Sequence, residues 1–130
     1  GKVYFDLLAT RRQRQISDIA LVRVEQLYPF PRHVLREIFN RYANARELVW
    51  CQEEPRNQGA WYQIQHHLRA LKRGDQALGY AGRPPSASPA CGYTKLHNTQ
   101  QQALVDAALS QESVGDPGER LEDAESPVKI

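Results

Sequence analysis

A chain of 130 residues, 41% of them apolar and with a net charge of +2, has room for one domain with a real core and not for several. No apolar stretch approaches the roughly 20 residues of a membrane-spanning helix, no secretory leader is visible, and no dense Lys/Arg block marks a nucleic-acid surface. Cys51 and Cys91 stand far apart with no Cys–His spacing around them, which argues against a zinc site and for two buried free thiols in a reducing compartment.

In chain order, Val3, Tyr4, Leu7 and Leu8 recur at helical spacing and predict a helix over residues 3–14. Arg11, Arg12 and Arg14 crowd its last turn, where cations suit the carboxyl end of a helix. Residues 19–24 are an almost unbroken apolar run with β-branched members, the pattern of a parallel strand covered on both faces. Pro29 and Pro31 then impose a fixed, extended turn, and Pro31 is suited to open the next helix. That helix carries Val34, Leu35, Ile38, Phe39 and Tyr42 on one face. A second strand is expected at residues 48–51, followed by a polar loop from Gln52 and a helix with Trp61, Ile64, Leu68 and Leu71 on one side. A short third strand is expected at residues 77–81, weakened by Gly79. Residues 82–90 hold three prolines and read as extended, and residues 98–109 read as a last helix with Ala103, Leu104, Ala107 and Ala108 inward.

Helices alternating with strands predict an α/β fold: three layers, a mainly parallel sheet and helices on both faces. The chain opens on a helix, whereas a doubly wound unit normally opens on a strand, so the pattern also predicts that a first strand is lost or supplied from elsewhere. Residues 1–110 make the domain. Residues 111–130 hold six acids against Arg120 and Lys129, a net −4, which leaves +6 of the chain's total of +2 on residues 1–110. This acidic stretch is too poor in apolar residues to offset its ordering entropy and is expected to be disordered.

The loop that leaves the second strand is the richest candidate site. Glu53 and Glu54 are adjacent on an extended segment and point to opposite sides, so at most one faces a site. Asn57 and Gln58 fit a capping role before the next helix. The expected use of Gln52, Glu53, Glu54, Gln58 and Trp61 is a docking loop against a neighbouring domain or subunit. Arg83, between a strand end and two prolines, is a candidate for an anion or an acidic partner. His97 is expected to approach the loop at residues 52–58. His66 and His67, adjacent on a helix, diverge and have no carboxylate four residues on, which speaks against metal. Ser86 and Ser88 lack the surroundings of a nucleophile, and neither glycine-rich nucleotide pattern occurs.

Five stretches, "GKVYFDLLATRR", "ALVRVEQLYPFP", "WCQEEPRNQGAWYQIQHHLRA", "YAGRPPSASPACGY" and "HNTQQQALVDAAL", resemble in order the carboxyl-terminal domain of the thiamine-diphosphate-dependent decarboxylating component of 2-oxoglutarate dehydrogenase. The resemblance covers residues 1–109. It implies a transketolase-like carboxyl-terminal domain packed in a homodimer, a parent enzyme that decarboxylates 2-oxoglutarate, and transfer of the succinyl group to a lipoyl-carrying succinyltransferase component. It implies thiamine diphosphate and Mg²⁺ in the parent, held by other domains of the subunit, with no cofactor, metal or catalytic residue in this chain. It also implies a bacterial cytoplasmic or mitochondrial-matrix location, and in some relatives a nearby nucleotide or acetyl-CoA effector site. Alternatives are a stand-alone interaction domain from a truncated gene, and the 2-oxoadipate-preferring paralogue.

Overall fold

The computed structural model describes residues 1–84 and 94–110. The elements are α1 (Lys2–Gln13), α2 (Arg32–Arg41), β1 (Glu47–Pro55), α3 (Trp61–Leu71), β2 (Ala77–Arg83) and α4 (Thr94–Ala108). The two strands pair in parallel, with Leu48 beside Leu78, Val49 beside Gly79, Trp50 beside Tyr80 and Cys51 beside Ala81. Successive side chains of a strand point to opposite faces, so this register gives the sheet two apolar faces. Leu48, Trp50, Leu78 and Tyr80 pack on Trp61, Ile64 and Leu68 of α3 and on Phe39 of α2. Val49, Cys51 and Ala81 pack on Leu7 of α1 and on Leu104, Val105 and Ala108 of α4. The chain is an α/β unit with helices on both faces of a small parallel sheet, as the alternation of its elements predicts.

At the amino ends of the strands, the loops before β1 and before β2 are knitted together. The Ala45 carbonyl accepts from Gln76 Nε2 at 2.7 Å and from Arg73 Nη2 at 3.3 Å. Gln76 Oε1 in turn accepts the Arg73 N–H at 2.8 Å, so the buried amide of Gln76 is satisfied at both ends.

The structure departs from the sequence expectation in four places. First, the run at residues 19–24 does not make a strand: Ile19 forms an isolated bridge and the rest carries no ladder. A strand needs a neighbour at about 4.8 Å, and a groove lies between this run and the free edge of β1. The expected three strands are therefore two among the described residues. Second, both strands are longer than expected. β1 continues through Gln52 to Pro55, with its register broken between Cys51 and Pro55, and β2 continues to Arg83. β2 runs through Gly79 without a break.

Third, α4 starts at Thr94, not residue 98, and turns Val105 inward while Ala103 faces out. Alanines lie on several sides of this helix, so they mark its inner face poorly. Fourth, Pro31 occupies the N-cap position of α2 and Arg32 is the first helical residue; of that helix's apolar face only Leu35 is fully buried, while Val34 and Tyr42 are exposed. The Tyr28–Pro29 peptide that precedes it is cis. Ser86, Ser88, Cys91 and the acidic stretch at 111–130 lie outside the described residues.

Candidate functional site at the carboxyl ends of the strands

Gln52 is buried to 4% exposure at the point where β1 leaves its regular register. Its side-chain oxygen accepts the Trp50 indole N–H at 2.9 Å and the backbone N–H of Trp61 at 3.1 Å. Its two N–H groups face three carbonyls, those of Glu54 at 3.2 Å, Pro55 at 3.1 Å and Gln58 at 2.9 Å. A carboxylate could not donate to those carbonyls, and an apolar side chain would take this partner from all five groups, of which the Pro55 carbonyl keeps the Gln58 N–H at 2.8 Å. One neutral amide therefore closes the turn from β1 to α3 and satisfies one of the free N–H groups at the start of α3. Gly59 completes the turn at φ +67, its backbone close against the Glu54 side chain.

Trp61 follows, with 0% exposure, its ring 5.2 Å from that of Tyr80. Burial pushes the Tyr80 phenol up to about 12, against hydrogen bonding from Gln52 and the nearby Arg56 guanidinium, which lies 5.3 Å from the ring centre. Burial likewise pushes the Cys51 thiol up to about 12, with the charge of Glu53 adding to it. Cys51 packs in the sheet against the core between α1 and α4.

Glu53 points the other way, toward α1. Its Oε1 accepts the backbone N–H of Val3. The N-cap of α1 is Gly1, which has no side chain to cap with, so a carboxylate from β1 does the work and faces the positive end of the helix dipole. Beside it a polar chain crosses from β2 to α1. Arg83, 5% exposed, donates from Nη2 to Gln101 Oε1 at 2.9 Å and stands 3.3 Å from His97 Nε2. Gln101 donates to Asp6 Oδ2 at 3.0 Å, and Lys2 Nζ meets the same oxygen at 2.8 Å. The Lys2 hydrogen bond, with help from Gln101, holds the Asp6 carboxyl below its usual range. Arg83 Nε has no partner among the described residues.

Of the seven residues singled out in the sequence, Gln52, Trp61 and Arg83 are buried, Glu53 and Gln58 are half-buried, and Glu54 and His97 are exposed. They form two groups. Gln52, Glu54, Gln58 and Trp61 share the β1–α3 turn, while Arg83 and His97 meet each other across β2 and α4; Glu53 reaches α1. Gln101 and Asp6 are additional members that the sequence reading passed over. Gln101 had a signal: it lies at helical spacing from Leu104, Val105 and Ala108 and so had to point inward.

His66 and His67 sit elsewhere, on the α2 side of α3. His67 stacks on Phe30 at 4.6 Å and its Nδ1 accepts from Arg32 at 2.9 and 2.7 Å. Desolvation, His66 and the Arg32 guanidinium hold its pKa below the usual value. No group of three potential metal ligands occurs among the described residues.

A helix-capping carboxylate, a turn closed by one amide and a buried arginine, all gathered at the strands' carboxyl ends, place the ordered polar groups where α/β sheets meet their partners. The family described as 2-oxoglutarate dehydrogenase C-terminal matches residues 1–109. The chain belongs to the 2-oxoglutarate dehydrogenase C-terminal family. It is 54% identical over 110 residues to the 2-oxoglutarate dehydrogenase E1 component of Cupriavidus necator, a match that covers 85% of this chain and 12% of that protein. It is 51% identical over 113 residues to the protein of the same name from Azotobacter vinelandii, and 52% over 110 residues to that from Haemophilus influenzae, with the same coverage of 85% and 12%. The chain thus spans about an eighth of the length of these relatives and corresponds to their C-terminal region. All four members of the β1–α3 turn group, and Arg83 and His97, fall inside the family match. No helix among the described residues is long and apolar enough to cross a membrane.

Proposed function

We propose that this chain serves as the carboxyl-terminal domain of a decarboxylating 2-oxoglutarate dehydrogenase subunit, built on a transketolase-like plan and supporting assembly of a homodimer. The whole enzyme decarboxylates 2-oxoglutarate on thiamine diphosphate and passes the succinyl group to a lipoyl carrier. What supports this most is the match over residues 1–109 to relatives called 2-oxoglutarate dehydrogenase E1 component. Those names also give no support to a 2-oxoadipate-preferring enzyme.

Among the described residues, the Gly74-Asp75-Gln76 stretch does not fit a thiamine diphosphate and magnesium site. Asp75 lies in the α3–β2 turn, where it meets Arg73 at 3.2 Å, and the neighbouring Gln76 is committed to Ala45 and Arg73. The part assigned to this chain is therefore architectural. Gln52, Glu53 and Trp61 shape the carboxyl end of the sheet, and Glu54, Gln58 and His97 present groups to a neighbouring domain or subunit. Arg83, held rigid by Gln101, is placed to receive an anionic group of a partner or effector near α4.

A domain exchange tests this reading. The matched segment of the Cupriavidus necator relative is deleted in one version and replaced by residues 1–110 of this chain in another. The deleted version should be neither dimeric nor active, and the exchanged version should be an active dimer with thiamine diphosphate, Mg²⁺ and 2-oxoglutarate. A deleted version that stays dimeric and fully active would sink the assignment. The isolated chain with the same additions should show no turnover.

A further inference from the structure

Arg32 is the first residue of α2, and the N-cap of that helix, Pro31, has no side chain that can cap it. The start of α2 is fastened by α3. Arg32 donates from Nε and from Nη2 to one atom, His67 Nδ1, at 2.9 and 2.7 Å. Phe30 stacks on the same imidazole at 4.6 Å, with the planes 9° apart, and packs in turn on the core between the sheet and α3. Phe30 and Arg32 flank Pro31, so a single half-buried ring grips the chain on both sides of the point where α2 begins.

A guanidinium has only donors, so these two bonds require a lone pair on Nδ1. The neutral ring therefore keeps its one proton on Nε2. A second proton goes to Nδ1 and turns the acceptor into a donor. Rotating the ring does not restore the contact, because both nitrogens of an imidazolium are donors. Protonation also sets a cation beside the permanent charge of Arg32.

The groups around the ring push the same way. From its own helix His66 stands 3.9 Å away, ring to ring, and the residues one turn off, Gln63, Ile64, Ala70 and Leu71, are uncharged. From α2 the charged group is Arg32, and from the turn before α2 the neighbour is the neutral ring of Phe30. Among the described residues, none of the charges that act on the ring belongs to a carboxylate. Desolvation, then His66, then Arg32 hold the His67 pKa below its ordinary value of 6.5. For a histidine depressed in the folded state, the neutral, bonded form is complete above 6.5 and is lost as pH falls through 6.5 toward the lower folded value.

We propose that Arg32, His66 and His67 form a pH-operated latch between α2 and α3: neutral His67 holds Arg32, and with it the first turn of α2, and protonated His67 lets Arg32 go. The stack on Phe30 survives, because an aromatic face attracts a cation. What comes loose is the first turn of α2, up to Leu35, and not the turn at 28–31. Leu35 and Phe39 line the groove beside β1, so the latch sets how firmly α2 is held as a wall of that groove. The inference concerns this chain's own side chains and holds whichever reaction the whole enzyme performs.

NMR of the 130-residue chain between about pH 7.5 and 5 tests it. The His67 ring should be the Nε2–H tautomer at the upper end and should titrate with a midpoint below 6.5. Through the same midpoint the Arg32 Nε–H signal should shift and begin to exchange freely with water. The Leu35 amide, bonded to the Pro31 carbonyl at 3.1 Å, should lose about threefold in protection once the intrinsic effect of pH is removed. That is the low end for one net hydrogen bond, as suits an exposed contact. Arg32→Ala should raise the His67 midpoint by about half a unit, roughly threefold in proton affinity. His67→Ala should show at about pH 7.5 the Leu35 protection that the unaltered chain reaches only at about pH 5, with no further change in acid. A His67 midpoint at or above 6.5 in the unaltered chain overturns the proposal. So does an Arg32 signal that ignores the titration, or a pH-dependent release that persists in His67→Ala. Should either variant fail to fold, the titration of the unaltered chain decides alone.

Discussion

Replacing Gln52 by leucine keeps the volume but removes the side-chain partner of two donors and of the Glu54 and Gln58 carbonyls at the β1–α3 turn, while the Pro55 carbonyl keeps the Gln58 N–H. Some of these groups can turn to solvent, so the cost is expected at about 2–4 kcal/mol, the range for one or two buried groups left unsatisfied. Urea unfolding of Gln52→Leu measures it, and a change below about 0.5 kcal/mol would show that the amide is not what closes the turn. A second residue-scale test concerns acid. Arg14, with Gln102 assisting, holds the Asp106 carboxyl below its ordinary value of 3.8. A carboxylate depressed in the folded state stabilises it above the unfolded value, and that stabilisation is lost as pH falls through 3.8 toward the lower folded value. Asp106→Asn should therefore lower stability at neutral pH slightly and make the fall in acid shallower. A series of thermal unfolding curves from pH 6 downward would show it, and identical slopes for both proteins would refute it.

Among the elements, α1 and α3 were legible because their apolar residues recur with the helical period and each ends in polar or glycine residues. The two faces of the sheet were legible for the same kind of reason, as continuous apolar runs with little alternation. The extension of β1 through Gln52 was not, because a polar residue in a strand looks like the strand's end until its hydrogen-bond partners are known. Gln101 shows the same difficulty on a helix: three consecutive glutamines give no hint of which one is buried until the phase of Leu104, Val105 and Ala108 is drawn through them. The run at 19–24 failed as a strand for a different reason, since strand composition cannot supply a neighbour. The Glu53 cap on α1 joins residues 50 apart and leaves no local trace at all. At this scale the turn between β1 and α3 gives a clean test. Gly59 has φ +67, and an added Cβ would stand 3.0 Å from the Cβ of Glu54. Gly59→Ala is expected to cost about 1–2 kcal/mol in denaturant unfolding; an unchanged midpoint would mean that the turn relaxes freely.

At the scale of the whole molecule, α1 and α2 line an open groove along β1. Tyr28 is 92% exposed, Phe5 and Val34 57% each and Leu27 43%. With the free edge of β1 nearby, these residues make a surface that tends toward association. The isolated chain is expected to self-associate in the micromolar range, and sedimentation equilibrium at several concentrations tests this. A monomer that unfolds sharply at high temperature would show that the open side needs no cover.

The placement of the two tryptophans has an optical consequence. Trp61 is sealed between α3 and Tyr80, whereas Trp50 borders the groove with its indole N–H tied to Gln52. Emission from the first should be blue-shifted and insensitive to acrylamide, and emission from the second should be quenched readily. The single-tryptophan variants Trp50→Phe and Trp61→Phe separate the two signals. Filling the groove would then be read as loss of quenching at Trp50 alone, a built-in fluorescent gauge of whether the open side of the fold is covered.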